Sequence, residues 1–178
     1  VSQILLEALY AAGSDAYALS LLTSTGERSW AHMIYDVGTT IALEAWDNRF
    51  KPNQDWNHAW GAAPAGVIPF NLMGIHSLEP GFGKVRIAPQ PGTLSWAQIT
   101  TPTIRGAITV SFNNDLGKSF HLEVDLPGNM SAQLAVPRFG SDDPSIVVDG
   151  HRVFGTVEGD FVMVDGIGSG HHTVERFV

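Results

Sequence analysis

Residues 37–74, VGTTIALEAWDNRFKPNQDWNHAWGAAPAGVIPFNLMG, decide how the rest of the chain is interpreted. Three of the five tryptophans, Trp46, Trp56 and Trp60, lie in this stretch among carboxylates and one histidine, His58. Pyranose rings stack on aromatic faces, and their hydroxyl groups need a few well-placed polar partners. The composition therefore favours a sugar-binding cleft. Packing between helices would use the same tryptophans, and this alternative is strongest for Trp60.

Length, charge and cysteine content narrow the possible classes of protein. The 178 residues form one large domain or two small ones. A net charge of −8 argues against a nucleic-acid partner, because no basic patch exists to neutralise phosphates. No apolar run of about 18 residues is present, so no membrane span is predicted. The absence of cysteine excludes disulfides and thiolate metal sites but does not fix the compartment.

The first 78 residues have the pattern of a helical region. Apolar residues recur at helical spacing in three segments that carry capping or stop residues at their ends. Residues 42–46, around Glu44, also permit a helix. Residues 58–74 resemble a buried helix that is kinked by Pro64 or begins near it. The three helices are predicted over residues 4–12, 15–22 and 30–35.

From residue 79 onward, short alternating runs follow one another, each bounded by Gly, Pro, Asn or Asp. This spacing is typical of an antiparallel β-sandwich. Asp149-Gly150, between two apolar runs, predicts a two-residue hairpin. The chain is therefore predicted to be an α+β protein in two parts, residues 1–78 and 79–178. The strands are predicted over residues 85–87, 94–99, 104–112, 120–126, 132–136, 146–154 (as the hairpin), 161–164 and 173–178.

Three runs of sequence resemble one known family. GTTIALEAWD (38–47), KPNQDWNHAWGAAPAGVIP (51–69) and GIHSLEPGFGKVRIAPQPG (74–92) are, in this order and spacing, similar to the C-terminal part of bacterial α-L-rhamnosidases, glycoside hydrolase family 78. The continuation through a Leu-x-Trp strand into TPTIRGAITVSF (101–112) resembles the family's junction between a helical barrel and a terminal β-sandwich. The resemblance covers residues 4–136. It implies that residues 1–78 are the last helices of an (α/α)6 barrel.

The resemblance also implies a reaction, the hydrolysis of terminal α-L-rhamnosides with inversion. Inversion needs a general acid and a general base on opposite faces of the sugar, with carboxyl groups roughly 6.5–9.5 Å apart. By resemblance Glu44 is the base and His58 contacts the sugar, while Trp46, Asp47 and Trp60 form the cleft wall. The implied substrate is a rhamnose-containing glycoside or polysaccharide, and no metal or other cofactor is implied.

The sequence departs from the family pattern in one respect that affects activity. The acid-rich motif that supplies the family's general acid has no counterpart in this chain, and most of the barrel is missing. The chain also starts without Met, a basic region or a signal segment. We therefore expect a piece of a longer protein that is inactive alone and whose exposed helices contact the remainder of the parent chain. Self-association would cover the same apolar surface.

Two other interpretations stay open at this stage. Residues 79–178 could be a non-catalytic carbohydrate-binding module, or a structural domain that only packs against the barrel. Against carbohydrate binding, most aromatic side chains of the strands occupy alternating positions expected to face the core. Glu44 could be an ordinary helix-surface acid. In an apolar setting desolvation would disfavour its charge and raise its pKa. The histidines His151, His171 and His172 make a weak metal set without further ligands.

Overall fold

The computed structural model describes residues 2–177, in two compact units, one ending at Asn71 and the other beginning at Leu72. The first unit contains the helices α1 (Ser2–Ala11), α2 (Asp15–Leu22), α3 (Trp30–Tyr35) and α4 (Ala63–Val67). The first three confirm the predicted helices. Gly13 follows α1 at a φ of 69°, a left-handed conformation in which a residue without Cβ is unstrained. Within residues 2–177, no helix is long and apolar enough to cross a membrane.

The segment between α3 and a 3₁₀ turn at Ala59–Ala62 forms no helix. The helical expectation around Glu44 is therefore wrong. The backbone folds back on itself instead: the N–H of Glu44 donates to the carbonyl of Asp55 (3.0 Å), and that of His58 to the carbonyl of Ala42 (2.8 Å). These groups pair across a loop, so they are not available for bonds along a helix axis.

The predicted buried helix over residues 58–74 is three short pieces. The 3₁₀ turn leads into α4, which begins next to Pro64, and a π turn follows at Ile68–Leu72. The start near Pro64 agrees with the prediction, because proline suits the first turn of a helix. The expectation of burial is met only in part, because several large side chains are exposed. The buried residues are Gly61, Ala63, Val67, Leu72, Met73 and Gly74, whereas Trp60, Ile68 and Phe70 are exposed.

The second unit is a β-sandwich. Its strands are β1 (Ile75–Ser77), β2 (Lys84–Ile87), β3 (Trp96–Thr103), β4 (Gly106–Asp115), β5 (Ser119–Leu126), β6 (Ser131–Pro137), β7 (Ser145–Val148), β8 (His151–Phe154), β9 (Thr156–Glu158), β10 (Phe161–Ile167) and β11 (Gly170–Phe177). One sheet has the spatial order β1-β2-β6-β10-β9, and the other has β3-β4-β5-β11-β7-β8. Alternating buried positions from both sheets, such as Val110 and Leu134, form the core.

The helical part followed by a β-sandwich confirms the predicted fold class, with three differences in detail. β1 and β9 have three residues each, too few for a visible alternation, and the sequence did not indicate them. Because β1 pairs with β2, the division falls at residues 71/72 and not at 78/79. The pair β2/β6 is parallel, whereas the other strand pairs among the described residues are antiparallel. Val178, the end of the last predicted strand, lies outside the described residues.

Two turns of the second unit show what the local sequence does and does not determine. Asp149 and Gly150 have φ values of 49° and 78° and connect β7 to β8, which confirms the predicted hairpin. The glycine-rich residues 166–170 lie where the chain passes from β10 in one sheet to β11 in the other. Glycine marks a turn in both cases, but only long-range pairing decides which strands the turn joins.

The aromatic residues of the sandwich divide into two groups. Phe112 and Phe120 are buried and stack with their ring centroids 5.4 Å apart, as the alternation predicts. Trp96 and Phe154 are 65% and 75% exposed, so the expectation that they face the core is wrong. Both lie on edge strands of the six-stranded sheet, where an outward position is compatible with the same alternation.

Candidate active site

Residues 42–58, here called the site loop, carry most of the predicted site residues. The buried side chain of Gln54 connects the two arms of this loop. Its Oε1 accepts a hydrogen bond from the N–H of Ala45 (2.9 Å), and its Nε2 donates to Oδ1 of Asn48 (2.9 Å). The same Asn48 oxygen accepts from the indole N–H of Trp56 (3.2 Å). Together with the two backbone hydrogen bonds described above, these contacts hold the site loop in its conformation, although the loop contains no regular secondary structure.

Glu44 lies at the centre of the site loop with a carboxylate that is bound on both oxygens. Oε1 pairs with the ammonium of Lys51, and Oε2 accepts from the backbone N–H of Asp55 (3.1 Å). The side chain is only 13% exposed. The Lys51 hydrogen bond and the Asp55 N–H lower the pKa of Glu44, and they outweigh the desolvation that raises it. The expected direction was therefore wrong: Glu44 is held as a carboxylate.

A cavity of about 270 Å³ lies against Glu44, and Trp46 and Trp60 also line it. This is just below the usual size of small-molecule pockets, about 300–1,000 Å³. Trp46 packs edge-on against Trp30, with ring centroids 4.9 Å apart. Trp60 is 63% exposed, so the alternative role as a core residue is wrong for this tryptophan. The rest of the lining is mostly apolar: Ser2, Met33, Leu43, Ala45 and Gly61.

His58 stands at the end of the site loop beside Trp60. Its Nδ1 accepts a hydrogen bond from the N–H of Trp60 (3.2 Å), which caps the 3₁₀ turn. The two rings are 4.7 Å apart at a tilt of 57°. Because Nδ1 of His58 is engaged in this hydrogen bond, Nε2 is the ring nitrogen that can contact a ligand.

Asp47 does not join this group in the way predicted. Its Oδ2 is 2.9 Å from Nε2 of His32 and 3.2 Å from Nε of Arg49, and its Oδ1 accepts from the N–H of Arg49 (3.1 Å). The hydrogen bond from His32, followed by that from the Arg49 N–H, lowers the pKa of Asp47. The structure thus brings Glu44, Trp46 and Trp60 to one cavity, adds His58 beside it, and engages Asp47 in internal contacts.

Two family models match the chain, one after the other. The model of the bacterial α-L-rhamnosidase 6 hairpin glycosidase domain matches residues 1–72. The model of the bacterial α-L-rhamnosidase C-terminal domain matches residues 74–150. Together they cover the helical unit and the first part of the sandwich, in the order that the resemblance implied. The chain belongs to the bacterial α-L-rhamnosidase family.

Solved α-L-rhamnosidases share the fold of nearly the whole chain. The Dictyoglumus thermophilum enzyme matches 99% of this chain, with a TM-score of 0.84 and a sequence identity of 18%. The Aspergillus terreus enzyme matches 98% of this chain, with a TM-score of 0.74 and a sequence identity of 24%. The Streptomyces avermitilis α-L-rhamnosidase, solved in complex with L-rhamnose, matches 98% with 0.81 at 25% identity. The chain spans only 20%, 18% and 17% of these three proteins, respectively. No match was found among the curated proteins.

Two residues that contact the predicted site residues were missed in the sequence. Lys51 stands in a polar loop, and nothing in the sequence indicates that it folds back onto Glu44. His32 was assigned only to a short helix; its spacing of four residues from Asp36 was the available signal, since such residues face each other on a helix. Within residues 2–177 no group of three or more potential metal-binding side chains occurs.

Replacing Lys51 by methionine is expected to raise the pKa of Glu44 in this chain. Methionine keeps most of the side-chain length but removes the charge and the hydrogen bond that together lower this pKa most. Because the folded-state pKa of Glu44 is depressed, its contribution to stability is present above the unfolded-state pKa and is lost as pH falls through the folded value. The variant should lose part of that contribution. The carboxyl carbon of Glu44, followed by NMR during a pH titration, measures the change.

Lys118→Met is the matched control. Lys118 pairs with Asp115 (3.3 Å) on the exposed surface of the second unit, so its replacement removes one ion pair without contact to Glu44. The titration of Glu44 should be the same as in the unmodified chain. An unchanged Glu44 titration in Lys51→Met would contradict the assigned ion pair.

Proposed function

We propose that the chain forms part of a glycosidase that hydrolyses terminal α-L-rhamnosides with inversion, and that Glu44 is its general base. The observation that carries the proposal is the position of Glu44 at the wall of a cavity shared with Trp46 and Trp60. This site belongs to a chain of the α-L-rhamnosidase family, whose S. avermitilis member is solved with L-rhamnose. The proposed substrate class is therefore a rhamnose-containing glycoside or polysaccharide.

The contacts of Glu44 keep it in the ionised form that a general base requires. A general base must be ionised before it can take a proton from the attacking water. Lys51 and the Asp55 N–H keep the carboxylate charged and fix its plane. In an inverting mechanism this water attacks the anomeric carbon from the face opposite the leaving oxygen, and the base accepts its proton in the same step.

The aromatic residues and His58 supply binding. Trp60, largely exposed, offers a free indole face to an apolar sugar face, while Trp46 is braced by Trp30 and forms a rigid wall. In the neutral ring of His58, Nδ1 accepts from the Trp60 N–H, so Nε2 carries the proton and can donate to a sugar hydroxyl. Asp47 acts indirectly, through the contacts that fasten the site loop.

The general acid and the rest of the barrel are proposed to come from the remainder of a parent chain. Exposed apolar side chains are frequent in the first unit, and one apolar groove of about 520 Å³ runs along α3 and α4. Surfaces of this kind mark contacts with further protein. The exposed residues include Ile4, Tyr17, Ile34, Tyr35, Ile41 and Phe70. In the isolated chain the same surface supports self-association.

A direct test combines turnover with binding. The 178-residue chain is expected to release no product from an aryl α-L-rhamnoside, because a base without its acid cannot complete the reaction. In ¹⁵N-labelled chain, L-rhamnose should shift the signals of Glu44, the His58 ring and the Trp60 indole. Turnover by the chain would contradict the prediction that it lacks the general acid. Rhamnose-induced shifts only at other residues would contradict the proposed binding site.

A second candidate function is supported by one observation, the exposure of Trp96 and Phe154 on the sandwich. A carbohydrate-binding module presents such aromatic residues to glycans. The same titration separates the two functions, because a binding module would show shifts at the Trp96 indole and none around Glu44.

A further inference from the structure

His32 occupies an unusual position between two carboxylates. It lies on α3 with 7% of its surface exposed. Its Nδ1 is 2.7 Å from Oδ2 of Asp36, one helical turn further on, and its Nε2 is 2.9 Å from Oδ2 of Asp47 in the site loop. Both ring nitrogens therefore face an acceptor that cannot donate.

This geometry determines the protonation state. A neutral imidazole has one N–H and one lone pair, so one of these two contacts would place a lone pair against a carboxylate. Only the imidazolium, with two N–H groups, satisfies both. The other charged group facing the ring is Arg49, whose Nη2 is 3.5 Å from Nε2, and Arg49 is itself paired with Glu27 (3.2 Å). Two carboxylates thus oppose one cation at the ring.

The contact joins the site loop to a helix. Asp47 is three residues after Glu44, and no regular secondary structure supports this part of the chain. α3 is itself fixed at its start, since Ser29 Oγ accepts from the N–H of His32 (3.0 Å). A charged bridge from α3 to Asp47 therefore restrains the loop close to the carboxylate proposed as the base.

We propose that His32, as an imidazolium, is a positioning residue that fastens the site loop to α3, so that the order of the loop around Glu44 depends on pH. The fastening follows from the contacts of His32 and Asp47 alone. Its consequence for catalysis rests on the proposed function of Glu44.

The direction of the pH dependence follows from the charges. The hydrogen bonds to Asp47 and Asp36 raise the pKa of His32, and they outweigh burial and Arg49, which lower it. For a group with a raised folded-state pKa, the stabilising contribution is complete below the unfolded value, about 6.5 for histidine. It is lost as pH rises through the folded value. The loop should therefore loosen on the alkaline side.

The test uses NMR on the 178-residue chain. The ring ¹⁵N shifts of His32 should show two protonated nitrogens at pH 6 and a titration midpoint above the ordinary histidine value of about 6.5. The protection factors of the Glu44 and His58 amides, corrected for intrinsic exchange, should fall with the same midpoint. His32→Gln should lower these protection factors about tenfold at pH 6, as expected for loss of one charged hydrogen bond. Amides of α2 should be unaffected.

His171→Gln is the matched control, because it removes a histidine–carboxylate contact with Asp125 (2.9 Å) on the second unit and should leave the loop unchanged. A His32 midpoint at or below about 6.5, or loop protection that does not follow its titration, would overturn the proposal. The titration in the unmodified chain decides this even if His32→Gln fails to fold. None of these readouts requires turnover, so they stand or fall independently of the role of Glu44.

Discussion

Replacing Glu44 by glutamine is expected to reduce kcat by about 10²–10⁴-fold in an active α-L-rhamnosidase that contains this chain. The host is a chimera in which the chain replaces the matching part of the S. avermitilis enzyme. Glutamine keeps an oxygen that can accept from the Asp55 N–H, so the site loop should retain its fold. It cannot take a proton from water. KM should change little, because the lost function belongs to the transition state.

Two further measurements make this result specific to a base. Azide attacks without deprotonation, so it should restore turnover in Glu44→Gln and yield a glycosyl azide of inverted configuration. The acid limb of the pH–kcat profile, assigned to Glu44, should disappear. Glu7→Gln, on the exposed side of α1, is the control and should keep full activity. A folded chimera without activity, or an active Glu44→Gln variant, would refute the assignment.

Local sequence patterns account for much of the fold. Ser29 and Gly13 determine helix ends through contacts within a few residues, and Asp149-Gly150 determines a hairpin for the same reason. Alternation placed most strands because one side of each faces the core. β1 and β9 escaped prediction because three residues hold no periodicity and form strands only through their partners.

The candidate site was predictable only in part. The resemblance of three sequence runs to the α-L-rhamnosidase family indicated Glu44, Trp46 and Trp60 as site residues, and these three residues line one cavity. The ion pair with Lys51 was not predictable, because it joins residues across an irregular loop whose path depends on Gln54 and several tertiary bonds. This ion pair reverses the expected direction of the Glu44 pKa shift. Burial alone was the wrong basis for that expectation.

The path of the site loop also depends on a close approach that only glycine permits. A Cβ on Gly61 would lie 2.1 Å from the carbonyl oxygen of Leu43 and 3.0 Å from its nitrogen. These are backbone atoms of a fully buried residue, so no side-chain rotation relieves the overlap. The carbonyl of Gly61 also accepts from the indole N–H of Trp30 (2.7 Å), which limits movement on the other side. Gly61 therefore fixes the backbone next to Glu44.

Gly61→Ala is accordingly expected to destabilise the first unit by about 1–3 kcal/mol, the usual cost of overpacking a core. Gly66→Ala, on α4, is the control: its Cβ would meet nothing within 4 Å, and alanine should be neutral or stabilising by up to about 1 kcal/mol. Urea unfolding followed by tryptophan fluorescence measures both, since Trp30, Trp46, Trp56 and Trp60 all report on this unit.

Activity separates a local effect from a global one. In the chimera, Gly61→Ala should reduce kcat even under conditions where it remains folded, because relief of the overlap must move the backbone of Leu43 and with it the adjacent Glu44. Gly66→Ala should leave kcat unchanged. Equal free energies of unfolding for the two variants would show that the backbone of Leu43 can shift without loss of stability. The site loop would then be softer than its contacts with Gln54, Asp55 and Gly61 imply.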